Sequence, residues 1–493
     1  GTPGLSEDKV EGLTPHLGDG KTGSYVSEKF PFAYDYADND PDASPTGQAG
    51  SHGTHVAGIT AANAGEIVGI APDAQIIVAK VARSSNGGIP DSALLAALDD
   101  MVILRPDVVN LSLGQDAGMD NAADSLYAGV FETLQDKGII VDVAAGNAFS
   151  SGYGNASGKN LPYASDPDSS TVAQPSTYTA SLSVASVDNA NGWGPSTYKA
   201  SSFSSWGVAP NLTLKPEIAA PGGYIWSALP GGTYGYSSGT SMATPQVAGI
   251  AALVRQRINE DPAFADLSAS EKTSIVTNFL MGTAHPLLDV DQNNGTYYSP
   301  RRVGAGQVDA LAATTSFVYP TVVGAANPSR PKADLGDGTQ GWTFQVTLTN
   351  VSDAAHTYTL GGQALSEMVE EGLFAEHSQN WAGAGISLIF SGDGVAEAGD
   401  AQQITVPAKS TTTVTVAVTP ESEFATFAAE NTPKGTFIDG AVTFTSADGQ
   451  PGLTVPYMGF YGSWGDSTVF DSPDYGASKL GTSAMTFHGL PLG

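Results

Sequence analysis

Short apolar runs alternate with segments of helical spacing from the start of the chain to about residue 310. Residues 75–82 (QIIVAKVA) and 107–114 (DVVNLSLG) are predicted strands, and residues 91–101 between them have the spacing of a helix. The alternation continues with a predicted helix over 124–138 and predicted strands over 139–147 and 182–188. Consecutive strand–helix–strand units form right-handed crossovers, so the pattern predicts a mostly parallel sheet with helices on both faces.

The pattern changes near Phe317 to an alternation with a period of two. In residues 342–349 (WTFQVTLT) every second side chain is apolar, and residues 414–419 (VTVAVT) repeat the pattern. Such segments predict strands with one buried face, and we expect an antiparallel β-sandwich of the fibronectin-III-like type over 318–465, acting as a support or spacer. The α/β domain then occupies 1–317, and 466–493 form a tail or the start of a further domain.

Composition excludes several classes of function. The 493 residues contain no cysteine, which excludes a disulfide framework, thiol catalysis and thiolate metal sites. A net charge of −30 argues against a nucleic-acid partner and against adsorption to anionic membranes. No segment reaches the roughly 20 apolar residues that span a bilayer. The chain shows no signal peptide, so we expect a mature or excised piece, and its lysine-poor composition is typical of a secreted bacterial protein.

Residues 237–254 (SSGTSMATPQVAGIAALV) place Ser241 after a glycine-containing turn and at the start of a small-residue apolar helix. We expect Pro245 in the first helical turn, where a missing N–H is tolerated. A serine at a helix start lies near unpaired N–H groups and the positive end of the helix dipole, which suits a nucleophile whose attack creates an anion. The alternative is an N-capping serine before a core helix.

Residues 50–59 (GSHGTHVAGI) contain the candidate base, His52, with His55 three positions later. In the catalytic interpretation, His52 takes the proton from Ser241 and returns it to the leaving amine. Two other interpretations remain: a structural histidine pair, and a zinc pair. The zinc interpretation is weak because the spacing is not that of H-E-x-x-H and no glutamate is adjacent.

Residues 144–147 (AAGN) contain the candidate oxyanion donor. Asn147 ends an apolar run, which places it at the carboxyl edge of the predicted sheet, where the sites of α/β proteins gather. Its side-chain amide can donate a hydrogen bond to a developing oxyanion. The alternative is a turn-forming asparagine after a glycine.

These three segments, in this order, resemble the motifs of the subtilisin-like serine proteases, or subtilases. The resemblance implies that His52, Ser241 and Asn147 are catalytic. An α/β-hydrolase does not fit, because Ser241 is not in a G-x-S-x-G motif and the histidine precedes it. By the same resemblance, two further segments bind substrate, the first as an added strand and the second around the residue before the cut. They consist of Ser112, Leu113 and Gly114, and of Ala144, Ala145 and Gly146.

Further segments resemble the lactocepin and C5a-peptidase branch of the family. They are FSSWG (203–207), LKPEIAAPGGYIWS (214–227), SPRRVGAGQVDA (299–310) and VPYMGFYGSW (455–464). Proteins of this branch are multidomain cell-envelope proteinases of Gram-positive bacteria. The resemblance therefore implies secretion and attachment to the cell envelope in the parent protein.

The chain departs from the family pattern in two places. The branch often carries a protease-associated domain between the asparagine and serine motifs, but the interval from Asn147 to Ser241 has room only for the catalytic scaffold. The family's catalytic aspartate lies on a strand before the histidine motif, in a run resembling VAVIDTG, and this chain has no such run. The acidic residues of 35–42 resemble the segment that follows this strand. We therefore expect the triad aspartate either on a bound N-terminal fragment or on residues that this sequence does not include, which would leave a gap beside His52.

Residues 289–295 (DVDQNNG) place oxygen ligands at alternate positions, as calcium loops do. The glycine is one position late for an EF-hand and the twelfth position is not a glutamate, so a solvated loop is favoured over a calcium site. No cofactor is required by the predicted chemistry. The sequence thus predicts an extracellular serine endopeptidase acting on proteins or peptides, and the alternative is an inactive fragment or a surface-binding module on the same scaffold.

Overall fold

The computed structural model describes most of the chain. The described residues are 4–18, 23–45, 50–115, 118–149, 172–189, 198–208, 211–290, 292, 294–370, 373–466, 486–487 and 490–491. The predicted tail over 466–493 lies almost wholly outside them. None of the helices in these ranges is long and apolar enough to cross a membrane.

The first part of the chain alternates strands and helices. In chain order the elements are α1 (Glu7–Leu13), β1 (Phe32–Asp35), α2 (Gly50–Ala61), β2 (Asn63–Ala64), β3 (Ile67–Val68), β4 (Ile77–Lys80), α3 (Asp91–Leu104), β5 (Val108–Leu111), α4 (Ser125–Asp136), β6 (Ile140–Ala144), β7 (Ser181–Asp188), β8 (Gly207–Val208), β9 (Leu214–Lys215), β10 (Ile218–Gly223), β11 (Ile225–Leu229), β12 (Thr233–Ser237), α5 (Thr240–Glu260), α6 (Ala269–Gly282), α7 (Pro300–Val303) and α8 (Ala310–Thr315). The predicted parallel α/β architecture is confirmed.

The parallel sheet of this domain consists of two separate parts. β1 pairs with β4, and a second part has the order β10–β7–β6–β5, with every pair parallel. β6 is buried along its whole length, whereas β4 is only half-buried and β5 is half-buried until its last residue. In a sheet covered on both faces, interior strands are buried. The exposure of β4 and β5 therefore marks two open edges, one on each part of the sheet.

One hydrophobic core holds the two parts of the sheet together. Phe32 and Tyr34 from β1 pack in the same cluster as Leu98 from α3 and as Val141 and Val143 from β6. α3 follows β4 and precedes β5 in the chain, and it packs against both parts of the sheet. The two parts are thus joined by side-chain packing, not by a continuous hydrogen-bonded ladder.

The second part of the chain is a β-sandwich. Its elements are β13 (Val318–Val322), β14 (Ala333–Gly338), β15 (Trp342–Asn350), β16 (His356–Glu370), β17 (Leu373–Asn380), β18 (Ile386–Ser391), β19 (Val395–Ala398), β20 (Ala401–Val406), β21 (Ser410–Pro420), α9 (Ser422–Asn431), β22 (Thr436–Ser446) and β23 (Leu453–Tyr461), and beyond them the chain has β24 (Thr486–Phe487) and β25 (Leu490–Pro491). One sheet has the order β13–β15–β21–β18. The other has the order β14–β23–β22–β16–β20–β19, with β17 beside β16.

The alternating side chains of the sandwich face its core as the sequence predicted. Phe344, Val346 and Leu348 are buried in one cluster with Val414 and Val416. One pairing differs from the expected antiparallel arrangement: β14 runs parallel to β23. β14 is a short segment with three glycine or aspartate positions among its last four residues, which carry no period-two signal.

Buried ion pairs connect the sandwich to the α/β domain. Arg301 in α7 is fully buried, with Nη1 3.1 Å from Glu367 Oε1 and Nε 2.8 Å from Asp439 Oδ2. Its guanidinium lies 4.3 Å from the centroid of the Phe437 ring. Both carboxylates belong to the sandwich. Separating α7 from the sandwich would leave buried charges without partners, which costs about 3–5 kcal/mol of folding free energy.

A second buried pair repeats this connection. Glu217, just before β10, accepts from Lys332 Nζ at 2.8 Å and lies 2.7 Å from Lys215 Nζ. Its other oxygen accepts from the backbone N–H of Ser183 at 2.7 Å. Lys332 comes from the segment before β14 of the sandwich, and Glu217 directly precedes β10 of the parallel sheet. The ion pair therefore fastens the start of β10 to the sandwich. The sandwich is therefore an integral support of the sheet.

We expect Asp439→Asn to lower the free energy of unfolding by about 3–5 kcal/mol, because it leaves the buried Arg301 with one fewer carboxylate. Urea denaturation measures the change. The matched control is Asp353→Asn, since Asp353 is 93% exposed and lies 3.5 Å from the exposed Lys409; such surface pairs contribute about 0–1 kcal/mol. Equal effects of the two substitutions would contradict this assignment.

Candidate active site

A cavity of about 300 Å³ opens where the carboxyl ends of β5 and β6 meet the start of α5. Its lining residues are Leu113, Gly114, Ala144, Gly146, Asn147, Ala173, Thr240 and Ser241. Six of these residues are catalytic or substrate-binding candidates predicted from the sequence. Ala173 and Thr240 are not, although Thr240 directly precedes the candidate nucleophile. Ser112 and Ala145 adjoin the cavity without lining it.

Ser241 is the second residue of α5, and it is tied to the segment after β5. Its Oγ donates to the carbonyl of Ser112 at 3.3 Å, and Ser112 Oγ donates to the carbonyl of Ser241 at 2.8 Å. The expected position of Pro245 in the first turn is wrong, because it is the sixth residue of α5. A proline there has no N–H for the carbonyl four residues earlier, which is that of Ser241. The Ser112 hydroxyl supplies the missing donor.

The side chain of Asn147 is held by its oxygen. Oδ1 accepts from the backbone N–H of Thr240 at 2.9 Å and from Thr240 Oγ1 at 3.1 Å. The N–H of Gly146 donates to the same Thr240 Oγ1 at 3.1 Å. With the oxygen engaged, the amide nitrogen of Asn147 is the side-chain group that can donate to a molecule in the cavity.

The segments predicted to bind substrate meet at the same cavity. Gly114 lies so close to the next segment that a Cβ there would be 2.8 Å from the carbonyl oxygen of Gln174, so only glycine fits. Gly146 has φ +106°, a backbone conformation that also favours glycine. Gln115 forms a bridge with Gln174, which places Ala173 on the cavity wall. Contacts between distant segments therefore shape the cavity.

His52 lies in the first turn of α2 and is exposed, whereas His55 is buried. The Nε2 atom of His55 lies 3.1 Å from the carbonyl oxygen of Gly235, and the His55 carbonyl accepts from Ser227 Oγ at 2.7 Å. These contacts support a structural role for His55, because they fasten the β11–β12 hairpin to α2. Although the His52 residue as a whole is exposed, protein on one side of its ring lowers its pKa by desolvation, and the nearby His55 lowers it further.

Helix α2 packs on α5, where Thr60 Oγ1 donates to the carbonyl of Pro245 at 3.3 Å. This contact brings the helices of the candidate base and nucleophile side by side. A hydrogen bond between His52 and Ser241 stays a prediction. So does the assignment of His52, Asn147 and Ser241 as the catalytic residues.

The acidic residues at and just after the carboxyl end of β1 have partners on or beyond β4. Asp35 is buried, forms an ion pair with Lys80, and accepts from the N–H groups of Ala37 and Asp38 at 2.9 Å each. Asp38 accepts from the N–H of Ser84 at 2.9 Å. Among the described residues, His52 has no hydrogen bond to a carboxylate.

The candidate calcium loop is only partly described, since Asp291 and Asn293 lie outside the described residues. Asp289 is buried, and its Oδ2 lies 2.7 Å from His377 Nδ1 and accepts from Gln292 Nε2 at 2.9 Å. His377 belongs to the sandwich. The described carboxylate of this loop thus contributes to the contact between the two domains.

Comparison with known proteins decides the family. The model of the subtilase family of peptidases matches residues 11–306, more than half of the chain. The chain belongs to the subtilase family. A model of Fn3-like domains matches residues 334–458, in agreement with the β-sandwich.

This subtilase is similar to bacterial PII-type proteinases and to C5a peptidases. The PII-type proteinase of Lacticaseibacillus paracasei is 27% identical over 660 residues, covering 98% of this chain and 34% of that protein. The C5a peptidase of Streptococcus pyogenes serotype M1 is 31% identical over 291 residues, covering 58% of this chain and 22% of that protein. The chain therefore spans about a third or less of the length of these relatives. The first alignment is longer than this chain, so that proteinase carries inserted segments.

Among solved structures, that of the prenylagaramide maturation protease PagA superposes with a TM-score of 0.40. It is 24% identical and covers 54% of this chain and 81% of that chain.

The lowered pKa of His52 predicts the pH dependence of Ser241 acylation. A general base works only when neutral, so the rate falls as the pH drops through the pKa of His52. Because that pKa lies below the ordinary value of 6.5, we expect the labelling rate to reach half of its maximum at a pH below 6.5. The rate of fluorophosphonate labelling across pH measures this, with His55→Gln expected to move the midpoint upward. A midpoint above 6.5 in the 493-residue chain without an aspartate-bearing strand would contradict the assignment of His52 as the base.

Proposed function

We propose that this subtilase is a serine endopeptidase that hydrolyses peptide bonds of proteins through an acyl-enzyme on Ser241. The observation that carries the proposal is the arrangement of Asn147 and Ser241 on one cavity, with Asn147 Oδ1 fixed by Thr240. This arrangement leaves an amide donor and a hydroxyl facing the same space. Acyl transfer needs both groups at one carbonyl.

In the proposed reaction, Ser241 Oγ attacks the scissile carbonyl while His52 accepts the hydroxyl proton. The amide nitrogen of Asn147 donates to the oxyanion that forms, and the unpaired N–H groups at the start of α5 favour negative charge there. His52 then returns the proton to the leaving amine, and water releases the acyl group. The mechanism requires no cofactor.

Substrate binding is proposed along the segment after β5. An extended substrate chain would pair with the backbone of residues 112–114 as an added strand. The residue before the cut would then enter the space bounded by Ala144, Ala145 and Gly146. Support comes from the cavity, which Leu113, Gly114, Ala144 and Gly146 line.

The third member of the triad is proposed to come from a bound N-terminal fragment. Support comes from the two open sheet edges, β4 and β5, which share one core but are not paired with each other in the described residues. A strand between them would pair with both edges and bury their half-buried side chains more fully. An aspartate at its carboxyl end would emerge near the end of β5, at the side of the sheet that holds the cavity.

The alternative is a non-catalytic binding module or inactive fragment on the subtilase scaffold. The interrupted sheet is the observation that favours it, since the chain then lacks the group that orients His52.

We also propose secretion or attachment to the cell envelope, supported by the similarity to the PII-type proteinase and the C5a peptidase. Protein or peptide substrates are the proposed partners.

We expect a fluorophosphonate probe to label Ser241 in the 493-residue chain, at the low basal rate expected without the triad aspartate, and not in Ser241→Ala. Asn147→Ala should slow labelling about a hundred- to a thousandfold, the range measured for removal of the corresponding donor in subtilisin. Thr240→Ala should slow it about tenfold, because one of two hydrogen bonds to Asn147 Oδ1 remains. Mass spectrometry of the labelled peptide gives site and rate. Labelling that survives Ser241→Ala would sink the proposal, and no labelling at all would favour the binding module.

A further inference from the structure

The β11–β12 hairpin carries four aromatic side chains on one side, here called the aromatic face: Tyr224, Trp226, Tyr234 and Tyr236. Tyr224 is 72% exposed, Tyr236 is 68% exposed and Trp226 is 41% exposed. Tyr234 is half-buried. Soluble proteins rarely expose several large rings side by side. A contiguous exposed apolar surface of this kind tends to mark a binding site.

The rings form one continuous cluster. Trp226 lies directly opposite Tyr236 in the antiparallel pair, with ring centroids 4.7 Å apart. Trp226 also stacks on Tyr234 at 6.2 Å, and Tyr236 meets Tyr224 at 6.5 Å. The aromatic face is therefore a single surface and not a set of separate side chains.

The opposite side of the hairpin fixes the aromatic face beside the cavity. Ile225 packs with Ile59 of α2 and Met242 of α5, and Ser227 Oγ donates to the carbonyl of His55. From Tyr236, five residues lead to Ser241, which span at most about 17 Å. A substrate held in the cavity can therefore reach the aromatic face with a few further residues.

The segments around the aromatic face, residues 50–69 and 218–254, contain one acidic residue and no lysine or arginine. That residue, Glu66, adjoins the face, since its N–H donates to the hydroxyl of Tyr234 at 3.1 Å. The whole chain has a net charge of −30. Arginine–ring contacts in the described residues lie on other rings, such as Phe279 and Phe437. No cation of the described chain occupies this face.

We propose that the aromatic face binds lysine or arginine side chains of the substrate, outside the residues held in the cavity. The inference rests on the proposed function, and it specifies the substrate class as proteins with a basic segment near the cleavage site. Tryptophan and tyrosine rings attract ammonium and guanidinium groups, and the adjoining Glu66 and the net negative charge of the chain add to that attraction. Each such contact is worth about a two- to fivefold gain in affinity at an exposed site.

Binding to the Ser241→Ala protein tests the proposal without cleavage. Two fluorescent peptides are compared by anisotropy: one spans the cavity and ends in three lysines, and the other has three glutamines instead. We expect the lysine peptide to bind at least fivefold more tightly. Trp226→Thr combined with Tyr236→Thr should abolish the difference, because threonine keeps the strand conformation but offers no ring.

The matched control is Ile389→Thr, an exposed apolar strand position of the sandwich that is 56% exposed. It should leave the lysine preference unchanged. Equal affinity for both peptides, or a lysine preference that survives the double threonine variant, would overturn the proposal. Circular dichroism and the melting temperature show whether the double variant folds; if it does not, Trp226→Tyr should keep the preference. If the chain with Ser241 intact is not labelled by the fluorophosphonate while the Ser241→Ala protein keeps the lysine preference, the result counts against the protease proposal alone.

Discussion

The candidate site depends on the burial of the first half of α5. Thirteen of its 21 residues are buried, and a Cβ at Gly249 would lie 2.6 Å from Ile70, so the helix cannot shift without opening the core. Pro245 leaves the Ser241 carbonyl without its helical donor, and Ser112 Oγ supplies one. That hydrogen bond fixes the nucleophile's backbone to the end of β5, while Thr240 holds Asn147. One buried helix thereby positions both groups of the proposed chemistry.

In the part of the chain that the structure describes, the sheet beneath this helix is interrupted between β4 and β5. The four-stranded part carries the cavity, and α2, which bears His52, packs on α5. Core packing through α3 keeps the two parts together, but unpaired backbone groups at each edge cost free energy unless another group or water pairs with them. The same edges adjoin the region where a partner for His52 is needed. Structural completion and catalytic completion are therefore proposed to come from one strand.

The sequence alone predicts the parallel sheet, the sandwich and most of the cavity lining, because apolar periodicity and local motifs are short-range signals. The role of Thr240 could not be predicted, since it depends on a hydrogen bond to Asn147, 93 residues away. The ion pair of Arg301 and Asp439 likewise joins segments that are distant in the chain. Charged residues are usually exposed, so the sequence gives no sign that these two are buried together. The break in the sheet was foreseen only from a resemblance, because strand order is not encoded in local periodicity.

Strand complementation tests the central claim most directly. The 493-residue chain, freed of any companion peptide, is labelled with a fluorophosphonate with and without a synthetic VAVIDTG peptide, and VAVINTG is the control. The account predicts that the aspartate peptide raises the Ser241 labelling rate by about ten-thousandfold, the effect of the aspartate in related triads, whereas the asparagine peptide does not. Full-rate labelling of the chain alone would contradict the account, and an acidic residue of 35–42 would then become the candidate for the third triad member.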